Sequence, residues 1–162
     1  MTDHIANVGF DHQSAPRLAT LVQDAEALFK AERFAEAMAV FETAAQLHPP
    51  HSTVLIRLAG LSTRMGQLDK AQAYLSVLRE RFPDFQWTPM VEGDLAMARL
   101  DYARAIALYR EEQTRMPDKA AIKTRLDEAV AEHAREFSWN APVEIEIWPA
   151  SGPSTFLEAA PQ

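Results

Sequence analysis

The chain contains no cysteine, which excludes disulfide bridges, thiolate metal sites and a cysteine nucleophile. Basic residues are in short supply: 16 Lys and Arg stand against 23 Asp and Glu in 162 residues, a formal charge of −7. That balance argues against a general binder of nucleic acid or of anionic membranes. No run of about 18 apolar residues occurs, the length that a membrane span needs. The segment before Arg17 holds no basic residue and no continuous apolar stretch, unlike a secretory leader, so a soluble, cytoplasmic protein is expected. Glycine is scarce, at five, and no glycine-rich phosphate loop, G-x-S-x-G elbow or HExxH is present. Aromatic residues are few as well. Alanine is abundant by contrast and suits helices packed through small side chains. Ten prolines stand against that reading unless they fall outside helix interiors, where each costs ~3 kcal/mol.

Their positions remove the objection. Pro49, Pro83 and Pro117 recur at a constant interval, and Ala37, Ala71 and Ala105 keep the same interval at a fixed offset before each proline. Phe34, Leu68 and Tyr102 lie three positions before these alanines, Phe41, Leu75 and Tyr109 four positions after, and Ala25, Ala59 and Gly93 twelve before. Small residues at 25, 59, 93, 37, 71 and 105 let two helices approach closely, and the bulky ones recur with helical spacing on one face. Each proline stops a helix, and Ser52, Asp84 and Asp118 are suitable N-caps for the helices that follow. Pro16 and Pro89 each fall in a first turn, where a missing N–H is harmless.

A 34-residue period with these landmarks resembles the tetratricopeptide repeat. The departures are local: no copy has the leading tryptophan, and the third carries Pro89 there and Glu92 where leucine is usual. The resemblance implies an all-α, right-handed solenoid of antiparallel helix pairs, about seven helices, with repeats at 18–51, 52–85 and 86–119. Residues 120–137 read as a capping helix with Ile122, Leu126, Val130, His133 and Phe137 on one stripe. The solenoid is expected over 16–137, between a flexible arm at 1–15 and a proline-rich, non-helical tail at 138–162.

Chemistry-bearing clusters are weak. His48-Pro49-Pro50-His51 lies in a turn with no third ligand in view, and the doublets Asp3-His4 and Asp11-His12 sit in the arm. No metal, cofactor or catalytic residue is assigned, and the chain reads as a non-enzyme. In the family, ligand peptides contact the first helix of each repeat. The resemblance therefore implies a groove of Ala19, Val22, Gln23, Glu26, Phe29 and Lys30, then Thr53, Ile56, Arg57, Gly60, Thr63 and Arg64, then Trp87, Met90, Val91, Asp94 and Met97. Only 52–85 has more Lys and Arg than Asp and Glu, five against three. Arg57 and Arg64 lie two turns apart, placed either to meet an acidic group of a partner or to pair with Glu26 or Asp94 in adjacent repeats. The carboxylate clamp of the family's heat-shock co-chaperones is absent, because its positions hold Val22, Glu26, Arg57, Trp87 and Val91.

In the tail, Val143-Glu144-Ile145-Glu146-Ile147-Trp148 alternates apolar and acidic residues, the pattern of a short strand that must dock, with Val143, Ile145, Ile147 and Trp148 as anchors. The expected function is a protein-binding adaptor or chaperone whose partner is an apolar segment with an acidic group. An accessory subunit of an enzyme complex, such as polysaccharide or glycosyl-transfer machinery, and a secretion-type chaperone, similar in size to those of bacterial export systems, are the alternatives. Self-association is compatible with all three.

Overall fold

The computed structural model describes residues 14–47 and 51–140. Among them every regular element is a helix: α1 (Ser14–Lys30), α2 (Phe34–Leu47), α3 (Ser52–Arg64), α4 (Leu68–Arg81), α5 (Thr88–Ala98), α6 (Tyr102–Arg115) and α7 (Ala120–Asn140). The pairs α1/α2, α3/α4 and α5/α6 are the three repeats, and α7 packs on α6. Together they form the all-α solenoid that the repeat period implies.

The small landmarks are where the helices of a pair meet. Ala25, Ala59, Ala37, Ala71 and Ala105 are fully buried. Gly93 is buried for a sharper reason: a Cβ there would lie 2.8 Å from Cδ1 and 2.9 Å from Cζ of Tyr109. The bulky landmarks fill the adjoining space, with Phe41, Leu75 and Tyr109 at or below 1% exposure. Burying each of them contributes about 1.5–3 kcal/mol. Each core also takes in the next repeat. Val54, Leu58 and Leu61 of α3 complete the cluster around Phe41, and Val91 and Leu95 of α5 complete the one around Leu75. Ala129 of α7 closes the one around Tyr109.

The turn inside each repeat is built the same way. Glu32, Gly66 and Leu100, again one period apart, adopt φ of 59°, 74° and 62°. The next residue's N–H then reaches back to a helix carbonyl: Arg33 to Leu28 (3.0 Å), Gln67 to Ser62 (2.8 Å) and Asp101 to Ala96 (2.9 Å). This left-handed closure satisfies carbonyls that a helix end would otherwise leave unpaired.

The helix starts depart from expectation. Ser52 is the first residue of α3 rather than its cap, and the capping residue, His51, makes no side-chain hydrogen bond. Asp84 lies in the connection before α5, and Asp118 two residues before α7. The carboxylate that does cap is Asp101, whose side chain accepts from the Arg104 N–H at 3.2 Å. Pro89 sits in the first turn of α5, as its ring requires. α1 begins at Ser14, two residues before the expected solenoid boundary, and α7 continues through Asn140, so residues 138–140 are helical rather than part of an extended tail. The rest of the arm, His48, Pro49 and Pro50, and the tail from 141, with Val143, Ile145, Ile147 and Trp148, lie outside the described residues.

Candidate partner-binding face

The first helices of the repeats stand side by side and are joined across repeats by ion pairs. From α3, Arg57 donates through Nε to Glu26 Oε1 at 2.6 Å and through a second nitrogen to Oε2 at 3.1 Å, a two-point bond to α1. Its guanidinium lies 5.3 Å from the centre of the Phe29 ring. From α7, Arg125 Nε donates to Asp94 Oδ1 of α5 at 2.8 Å. The same oxygen accepts from the Tyr109 hydroxyl at 2.6 Å. Glu26 and Asp94 are two periods apart, as are Arg57 and Arg125. Both pairs are partly solvated, so each contributes at most about 1 kcal/mol, and their main effect is to hold neighbouring first helices in register.

Between the two pairs the face changes character. Where repeats one and three have Glu26 and Asp94, repeat two has Gly60, and a Cβ built there would meet nothing within 4 Å. Ile56, Gly60 and Thr63 follow one helical stripe, all half-buried, and the Thr63 hydroxyl turns inward to donate to the Ala59 carbonyl at 2.9 Å. Repeat two therefore presents no side chain there, an uncharged gap, or notch, between the carboxylate–guanidinium pairs of the neighbouring repeats. Arg64, exposed, does not reach an acid: its guanidinium stacks 4.4 Å above the Phe34 ring, which in turn meets Phe29 edge-on at 5.5 Å. Of the two readings for these arginines, internal pairing holds for Arg57, through Glu26, while Asp94 is taken by Arg125.

The third repeat contributes less than the pattern implies. Val91 is 8% exposed within the core between repeats two and three, so it is not part of the surface. Met90 and Met97 are half-buried against the Tyr109 cluster. Trp87 precedes α5 in a left-handed conformation (φ 73°), and its N–H donates to Glu112 Oε1 at 2.8 Å. Val22 is half-buried against the first cluster. Val91 apart, the candidate residues of α1, α3 and α5 each keep part of their surface in solvent.

Glu112 and Arg125 escaped the family pattern. Arg125 was findable as Arg57 plus two periods. Glu112 stands where the earlier repeats bury Ala44 and Leu78, and a carboxylate in an apolar slot is itself a signal of a local polar task. Here it serves the N-terminus of α5, where a negative charge is favourable. Glu92, at the usual leucine position, accepts from Arg79 Nε at 3.0 Å. The phenol of Tyr109 has its pKa raised, first by burial and then by the adjacent Asp94 carboxylate. Among the described residues no three His, Asp or Glu side chains converge as a metal site would require, and no helix is long and apolar enough to cross a membrane.

Fold and face together define a helical-repeat scaffold. Residues 28–89 match the tetratricopeptide repeat family. The solenoid superposes on the Arabidopsis OM64 TPR domain with a TM-score of 0.64 at 13% identity, over 72% of this chain and 96% of that one. No curated protein matches the sequence. Residues 28–89 are thus tetratricopeptide-repeat sequence within an all-α repeat solenoid, a fold that generally mediates protein–protein interaction and generally serves as a non-catalytic scaffold.

Proposed function

We propose that the first-helix face of α1 and α3 holds a segment of a partner polypeptide, and that the protein acts as a non-catalytic adaptor or chaperone. The observation that carries this reading is the Gly60 notch. It is an uncharged gap between two ion pairs that are already satisfied, so the face attracts an apolar side chain more than a carboxylate. An acidic group elsewhere in the partner would meet Arg64, which stays exposed beside Phe34.

Gly60→Leu fills the notch and improves helix propensity, and Ile56→Asp places a charge beside it. Both variants should fold and lose a partner that co-purifies with the wild type. Ala103→Leu, at an exposed position of α6, should keep it. Retention of the partner by both notch variants would rule out this face. A partner that is insoluble alone and soluble on co-expression marks a chaperone, and one that is folded alone marks an adaptor.

A further inference from the structure

α7 begins two whole periods after α3, and Arg125 reaches Asp94 just as Arg57 reaches Glu26. It therefore stands in register as the first helix of a fourth repeat, and among the described residues no second helix follows it. In repeats two and three the side turned to the second helix is buried: Leu55, Ala59 and Ser62, then Pro89, Gly93 and Ala96. The matching residues of α7 are Lys123, Asp127 and Val130. Lys123 and Asp127 pair with each other at 2.8 Å in solvent and need no cover. Val130 is 43% exposed, and on the same stripe Ala134 is exposed and Phe137 is 67% exposed. This side of α7 is thus ionic in its first half and apolar in its second.

The sequence after α7 contains a candidate cover. Pro142 cannot continue the helix, and Val143-Glu144-Ile145-Glu146-Ile147-Trp148 begins directly after it. Val130 to Phe137 spans about 10.5 Å of helix at 1.5 Å per residue. Val143 to Ile147 spans about 13 Å when extended. Strand alternation would set Val143, Ile145 and Ile147 on one side, with Glu144 and Glu146 outward. Arg57 of α3 offers the acidic residues no comparable site, since it is doubly bonded to Glu26. We propose that Val143–Trp148 folds back along α7 and covers Val130, Ala134 and Phe137, in the place that a second helix takes in the preceding repeats.

The absence of native cysteine allows a direct test on the full-length chain. Ala134→Cys is combined in turn with Val143→Cys, Ile145→Cys and Ile147→Cys, and Ala19→Cys on α1 with the same three serves as the alternative site. Under mild oxidation at least one Ala134 pair should form an intrachain disulfide at least tenfold more than any Ala19 pair. Adding Phe137→Asp, an exposed position, should reduce that yield several-fold with helicity unchanged by circular dichroism. The proposal is overturned if no Ala134 pair closes, if the Ala19 pairs close equally well, or if the bonds form only between two chains, which would make a second copy the cover.

Discussion

Two glycines in equivalent helices should respond to the same substitution with opposite signs. Replacing a mid-helix glycine by alanine ordinarily stabilises a helix by about 0.5–1 kcal/mol, because glycine loses more backbone freedom on folding. At Gly60 nothing lies within 4 Å of the added methyl, so Gly60→Ala should show that full gain. At Gly93 the methyl would enter the Tyr109 ring, with Cδ1 at 2.8 Å and Cζ at 2.9 Å. The ring is 1% exposed and its hydroxyl is held by Asp94 at 2.6 Å, so it has no free path aside. Overpacking of this kind costs about 1–3 kcal/mol. That figure is also the expected separation of the two variants, since the helix gain is common to both. Urea unfolding followed by circular dichroism reads it directly, with m-values compared because repeat arrays can lose two-state behaviour. A double-mutant cycle with Tyr109→Phe should shrink the Gly93→Ala penalty, since the phenyl ring is released from Asp94. Gly93→Ala at or above wild-type stability would refute the close-approach account of this landmark.

Glu112→Ala should cost about 1–3 kcal/mol by leaving the Trp87 N–H without its acceptor, and Glu112→Gln, which keeps an oxygen, should cost less; thermal denaturation of both variants checks the order. Leu100→Gly should stabilise by roughly 1 kcal/mol, because leucine at φ 62° bears strain that glycine does not, while Gly66→Ala at φ 74° should destabilise; paired urea melts would expose an error in either sign. The raised pKa of Tyr109 gives an alkaline signature. Below about pH 10 the phenol is protonated in both folded and unfolded chains, and above it the unfolded chain sheds a proton that the folded one retains, so stability should fall as pH rises further. Tyr109→Phe should flatten that fall, and identical slopes for variant and wild type between pH 9 and 11 would contradict it.

The repeat and its helix pairs were legible because packing imposes the same demand once in every period: a small residue where helices cross and a bulky one beside it. The Arg57–Glu26 pair was legible as one of two readings, since both residues keep fixed places in the period. What escaped depends on single positions that break phase. The left-handed Trp87 and Pro89 delay the start of α5, which moves Trp87 off the helix, and Val91 packs into the core between repeats two and three. Glu112 answers that late start from α6, well along the chain, and no other repeat holds a counterpart. The side-chain caps failed as expectations because a suitable residue near a helix start caps only if the backbone turns there.

The turns at Glu32, Gly66 and Leu100 share a backbone shape across an acid, a glycine and an aliphatic residue. What passes from one repeat to the next is therefore an angle, enforced by the helices packed on either side even where, as at Leu100, the residue at the corner bears strain for it. In such a scaffold the exposed vocabulary can be rewritten while the grammar holds, so a change of binding taste need not pass through a change of fold.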